Sequence, residues 1–67
     1  MTVTLNGQPT ELPDGATLID AIDAAGESER RGVAVAVGGE VVPRGEWGSR
    51  ELSEGEDIEV VRAVQGG

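Results

Sequence analysis

Only aliphatic packing can hold this chain together. It has 67 residues with neither Cys nor His, so disulfides, zinc fingers and His-ligated transition metals are ruled out. A domain of this length buries only about 60% of the surface its unfolded chain exposes, so it needs a staple or a well-closed core. With the staples gone, the core must come from Val, Leu, Ile and Ala, plus Trp47 as the single aromatic. The length fits one domain.

The hydrophobic pattern says how such a core is assembled. Met1, Val3 and Leu5 alternate with Thr2 and Thr4, the period of a half-buried strand. Asn6-Gly7 follows, a dipeptide suited to a two-residue hairpin turn in which both positions need positive φ. Residues 8–12 read as the return strand, and Pro9, lacking an N–H, places it at a sheet edge. Pro13-Asp14-Gly15 is a turn. Thr17 can then cap a helix, with Asp20 in the capping-box position. Leu18, Ala21, Ile22 and Ala25 share one helical face, Asp20, Asp23 and Ala24 lie away from it, and Gly26 supplies the stop.

Beyond the helix, residues 27–32 form a charged loop and Val33–Val37 a strand with Val on one face and Ala on the other. Gly38-Gly39 turns the chain into a short strand over residues 40–43. Residues 43–49 carry Trp47 in an irregular or single-turn segment, residues 53–56 make a turn, and residues 58–64 form the last strand. Residues 1–64 are thus the folded domain, and residues 65–67 read as a mobile tail with nothing to pack against. The order strand, strand, helix, strand, strand, strand points to an α+β β-grasp: a mixed sheet of four to five strands curled over one helix. The last strand pairs parallel with the first, because the helix supplies the long crossover that parallel neighbours need. An antiparallel α+β sheet of other topology is the competing arrangement.

Charge narrows the partners. Thirteen acids face five bases, all Arg, for a net charge of −8. That field repels nucleic acid and anionic lipid and favours a partner with a basic face. Solubility alone is the plainer reading of the same composition. The N-terminal residues show no basic stretch followed by a long apolar run. The longest uninterrupted apolar stretch, Val33–Val37, is too short to span a bilayer. The expectation is a cytoplasmic protein that binds neither nucleic acid nor membrane.

The side chains offer little catalysis. No Cys, His, Lys or Tyr is present to act as nucleophile, base, Schiff-base amine or acid. Ser28, Ser49 and Ser53 have nothing to activate them. Glu54, Glu56, Asp57 and Glu59 are the densest acids, but their spacing matches no calcium loop and reads as a solvated strand edge. No dinucleotide or phosphate-binding glycine motif occurs. No catalytic or metal-binding residue is expected, and the chain is not an enzyme on this reading.

What remains is the terminus, Gly66-Gly67. A C-terminal carboxylate is ionised at neutral pH and a poor electrophile, so it reacts only once activated, most simply as an acyl-adenylate made by a partner with ATP. Two glycines suit that use: without Cβ they thread a narrow channel and leave the carbonyl carbon unhindered. Eleven residues are Gly, so the pair by itself is a modest signal; after a terminal strand in a β-grasp order it is a strong one.

At this point the chain resembles the ubiquitin-like sulfur carriers, and among them the thiamine-biosynthesis sulfur carriers (ThiS), over essentially its whole length. The residues that carry the likeness are Val3-Thr4-Leu5-Asn6-Gly7, Ala16-Thr17-Leu18, the block from Val41-Val42-Pro43-Arg44 through Gly45-Glu46-Trp47, and the ending Val60-Val61-Arg62-Ala63-Val64-Gln65-Gly66-Gly67. The Val-Pro-Arg-x-x-Trp stretch discriminates best, since Gly-Gly ends many ubiquitin-like proteins. Gly38 departs from the pattern, where relatives often carry Asn; both residues tolerate positive φ. The resemblance implies that a ubiquitin-activating-type adenylyltransferase uses ATP and Mg²⁺ to adenylate Gly67, with Gly66 as its flexible neighbour. A persulfide sulfur donor then displaces AMP to leave a thiocarboxylate, which thiazole synthase consumes. No cofactor is bound tightly by the carrier itself. Carriers for molybdopterin, cysteine or tRNA thiolation share this chemistry, and a ubiquitin-like protein modifier or a plain interaction module is the alternative from another class.

Strand alternation also predicts a docking face. If Ile58 and Val60 point inward, Val61 and Ala63 point out. If Val33, Val35 and Val37 point inward, Ala34 and Ala36 point out, completing a flat apolar patch near the tail. Arg62 is placed to meet an acidic rim. Trp47 and Pro43 read as packing, and Arg44 is assigned no role.

Overall fold

A computed structural model of the chain describes residues 1–27 and 31–62. Part of the charged loop, Ala63, Val64 and the tail at 65–67 lie outside the described residues. The elements run in chain order as β1 (Thr2–Leu5), β2 (Gln8–Glu11), α1 (Leu18–Ala24), β3 (Val33–Val37), β4 (Glu40–Val41), a 3₁₀ turn (Arg44–Glu46) and β5 (Asp57–Arg62). The five strands form one mixed sheet in the order β2-β1-β5-β3-β4. β1 pairs antiparallel with β2 and parallel with β5, while β3 pairs antiparallel with both β5 and β4. The last strand therefore lies at the centre of the sheet.

Each turn forms where its residues permit. Asn6 and Gly7 have φ of 50° and 82°, both positive as a two-residue hairpin requires. Gly38 and Gly39, at 59° and 84°, repeat the geometry between β3 and β4. Pro9 sits on β2, an outer strand, where its missing N–H breaks no ladder. The helix starts at Thr17, whose backbone N–H donates to Asp20 Oδ2 at 2.8 Å, while the Leu18 N–H donates to the Arg50 carbonyl at 3.2 Å. It closes at Gly26, and the Glu27 N–H returns to the Ile22 carbonyl. At 7 residues it is too short to be stable alone, so packing holds it.

Three boundaries differ from the sequence reading. β2 ends at Glu11 instead of residue 12, because Leu12 turns into the core while its N–H reaches the Met1 carbonyl at 2.8 Å. β4 has two residues in place of the four over 40–43, since Pro43 starts the 3₁₀ turn. β5 begins at Asp57 rather than residue 58, and the Gly38 N–H donates to the Asp57 carbonyl.

The core sits between the helix and the inner face of the sheet. Leu18, Ile22, Ile58, Val3 and Val35 are its largest fully buried side chains, joined by Leu5, Ala21, Val37, Val60, Leu12, Leu52 and Trp47. No buried polar or charged residue occurs among the described residues. Burial drives this core, and no ionic staple supplements it.

Two outcomes follow. Ile58→Ala should lower unfolding stability by about 2–5 kcal/mol in a urea titration, comparable with the whole stability of a domain this small. The second concerns acid. The Thr2 hydroxyl donates to Glu11 Oε1 at 2.8 Å, and this bond, followed by the Met1 ammonium, holds the Glu11 carboxyl below its ordinary value of 4.5. A depressed folded pKa gives stability that is present above the unfolded value and lost as pH falls through the folded one. Thr2→Val should raise the Glu11 pKa toward 4.5 in a carboxyl NMR titration and shrink that acid-side loss.

Candidate functional site

Every element near the tail serves to place β5, the strand from which residues 63–67 continue. Its pattern is the one alternation predicts: Ile58 and Val60 are buried, and Val61 is 57% exposed. In the β3 ladder Ala34 stands opposite Val61, and Ala36 stands opposite Glu59. Ala36 also faces Val41 across β4, and Val41 is 74% exposed. The outer face thus carries an apolar run from Val41 through Ala36 and Ala34 to Val61, with Glu59 beside it. Of the residues expected on the docking face, Ala34, Ala36 and Val61 come together; Ala63 lies outside the described residues, as do Gly66 and Gly67. Val41 belongs to the patch and was missed, because residues 40–43 read as one regular strand without a face assignment.

Arg62 meets an acid, and that acid belongs to its own chain. Its Nε and Nη2 both donate to Glu27 Oε1, at 2.9 and 2.6 Å, and Nη1 reaches the Arg31 carbonyl at 3.5 Å. An ion pair this exposed is worth less than about 1 kcal/mol. Its effect is geometric, tying the end of β5 to the start of the helix–β3 loop.

A second tie acts two residues earlier. The parallel ladder runs from Thr4 N–H to the Glu56 carbonyl at 2.8 Å, then from Asn6 N–H to the Ile58 carbonyl at 2.9 Å. A regular ladder would continue with Val60 donating to the Asn6 carbonyl. Asn6, at φ 50°, has already turned into the hairpin. Its side-chain amide takes the place of the peptide group: Oδ1 accepts from Val60 N–H at 2.8 Å, and Nδ2 donates to the Val60 carbonyl at 3.2 Å. The sequence reading gave Asn6 only a turn role. Nothing local signals a side chain that bonds a strand 54 residues away.

The remaining candidates are structural. Trp47 is 2% exposed, and its Nε1 donates to the Val42 carbonyl at 3.0 Å, closing the 3₁₀ turn against the core. Glu54 accepts from Thr2 N–H, while Glu56 accepts from Ser53 N–H and pairs with Arg50. These two acids brace the turn before β5, and no cluster able to hold a metal ion occurs among the described residues.

The family model of the ThiS family matches residues 3–67. The chain belongs to the ThiS family. Its fold is that of solved ThiS structures. The crystal structure of the thiamine biosynthesis protein ThiS from Geobacter metallireducens superposes with a TM-score of 0.81 at 23% identity, covering 100% of both chains. The solution NMR structure of a thiamine biosynthesis protein from the same organism gives 0.79 at 23% identity, covering 100% of this chain and 88% of that one. No curated protein sequence matches the chain significantly. The block that discriminates ThiS in the sequence is therefore a packing device: Val42 and Trp47 bond each other across the 3₁₀ turn.

That role is measurable. Trp47→Phe keeps an aromatic in the core but leaves the Val42 carbonyl without its donor, so it should cost about 1–3 kcal/mol in chemical denaturation.

Proposed function

We propose that this ThiS-family sulfur carrier works through the carboxylate of Gly67. In this scheme a ubiquitin-activating-type adenylyltransferase binds ATP and Mg²⁺, and the Gly67 carboxylate attacks the α-phosphorus, expelling pyrophosphate. The terminal sulfur of a persulfide donor then attacks the acyl carbon and AMP leaves. A thiol that cleaves the resulting acyl disulfide frees the thiocarboxylate. Thiazole synthase takes that sulfur in thiamine biosynthesis. The carrier contributes no catalytic side chain and binds no cofactor tightly; it supplies an accessible chain end and a surface by which partners hold it.

The observation that supports this reading is the match to the ThiS family over residues 3–67, which includes the Gly66-Gly67 ending. The apolar outer face supports the docking half: Ala34, Ala36, Val41 and Val61 lie on the strands beside and including the one that leads to the tail. Arg62, held by Glu27 at the border of that face, is placed to exchange its intramolecular partner for an acidic group of the adenylating enzyme.

Intact-protein mass spectrometry after incubation with the adenylating partner, ATP, Mg²⁺ and a persulfide should show one oxygen replaced by sulfur at Gly67. An unchanged mass with a partner active on another carrier would overturn the reading, and so would a covalent bond to a protein lysine. Deleting Gly66 and Gly67 should abolish the exchange. Val61→Asp should leave the fold intact yet weaken partner binding roughly tenfold or more, because a carboxylate would then be buried unpaired at the contact.

A further inference from the structure

β5 outlasts its parallel neighbour. β1 ends at Leu5, opposite Ile58, so Val60 has no strand beside it on that side. Its N–H and carbonyl point to where β1 would have continued, and both are met by one side chain, Asn6, at 2.8 and 3.2 Å. A single amide carries the donor and acceptor that a peptide unit would have offered, and the positive φ of Asn6 aims it there. On the opposite side β3 pairs with the same strand as far as Val33 with Arg62.

We propose that Asn6 is a positioning residue for the C-terminal reaction, a role that rests on the proposed function above. By clamping Val60 from the β1 side, Asn6 fixes the position and direction in which β5 reaches Arg62, and hence the point from which the five remaining residues depart. Without the clamp the end of β5 is held from the β3 side and by Glu27, and it samples more orientations. A partner that grips the outer face and the tail together then finds a smaller fraction of molecules in the geometry it binds. Apparent affinity falls by that fraction, while the chemistry of a tail already seated is unchanged.

The discriminating variant is Asn6→Gly, which keeps the positive φ of the turn and removes both bonds. Hydrogen exchange at the Val60 N–H should accelerate at least about fivefold relative to the Thr4 N–H, which bonds Glu56 on the same ladder, in line with one lost hydrogen bond. In the adenylation assay, KM for the carrier should rise by about the same factor or more, with kcat within about twofold of the parent. Asn6→Asp keeps the acceptor for Val60 N–H but sets a carboxylate oxygen against the Val60 carbonyl. It should shift KM in the same direction, and it decides the matter if the glycine variant fails to fold. Unchanged relative exchange at Val60 would overturn the proposal. So would faster exchange with parental KM, or a loss confined to kcat. A parent protein that is not adenylated at all would instead sink the proposed function, whatever Val60 does.

Discussion

The parallel junction between β1 and β5 is the constraint from which the rest of the structure follows. It brings the two ends of the chain to the middle of one sheet, which forces everything between them to act as a crossover. The helix covers one face because the crossover must pass there, and it buries Leu18, Ala21 and Ile22 against Val3, Val35 and Ile58. With no disulfide or metal to fall back on, that contact between helix and central strands carries the fold. The site inherits its rigidity from the same place: the strand that leads to the tail is the most enclosed strand in the sheet.

Holding a reactive chain end is a different problem from holding an active-site side chain. A tail has to be free at its tip and fixed at its root. Here the root is secured from three sides, by β3 along its length, by Asn6 at Val60 and by Glu27 at Arg62. The two side-chain ties are individually weak, and both act at the last three described residues. Weak ties suffice there because they need only restrict direction, while burial of Ile58 and Val60 supplies the energy.

Much of the fold was legible because its signals are local. Asn6-Gly7 and Gly38-Gly39 each specify a turn from two adjacent residues, Thr17 with Asp20 marks a helix start, and the alternation in Val33–Val37 assigns faces directly. The errors fall where local pattern and chain chemistry part: alternation carried β4 through residue 43, whereas Pro43 had already begun the 3₁₀ turn. The outward placement of Ala34 and Val61 followed from period alone, and the ladder adds that they are direct opposites. What no reading of the sequence could supply were contacts between distant residues. Asn6 looks like a turn residue and Glu27 like a loop charge; each becomes informative only when Val60 and Arg62 are beside it.

The borders of the sheet have a consequence of their own. One border is β2, interrupted by Pro9, and the other is β4, only two residues long. Neither presents an extended row of unsatisfied amides on which a second molecule's strand could template itself. A protein whose sticky surface is the flat of the sheet can therefore be handed from one partner to the next without its margins nucleating fibrils of its own kind.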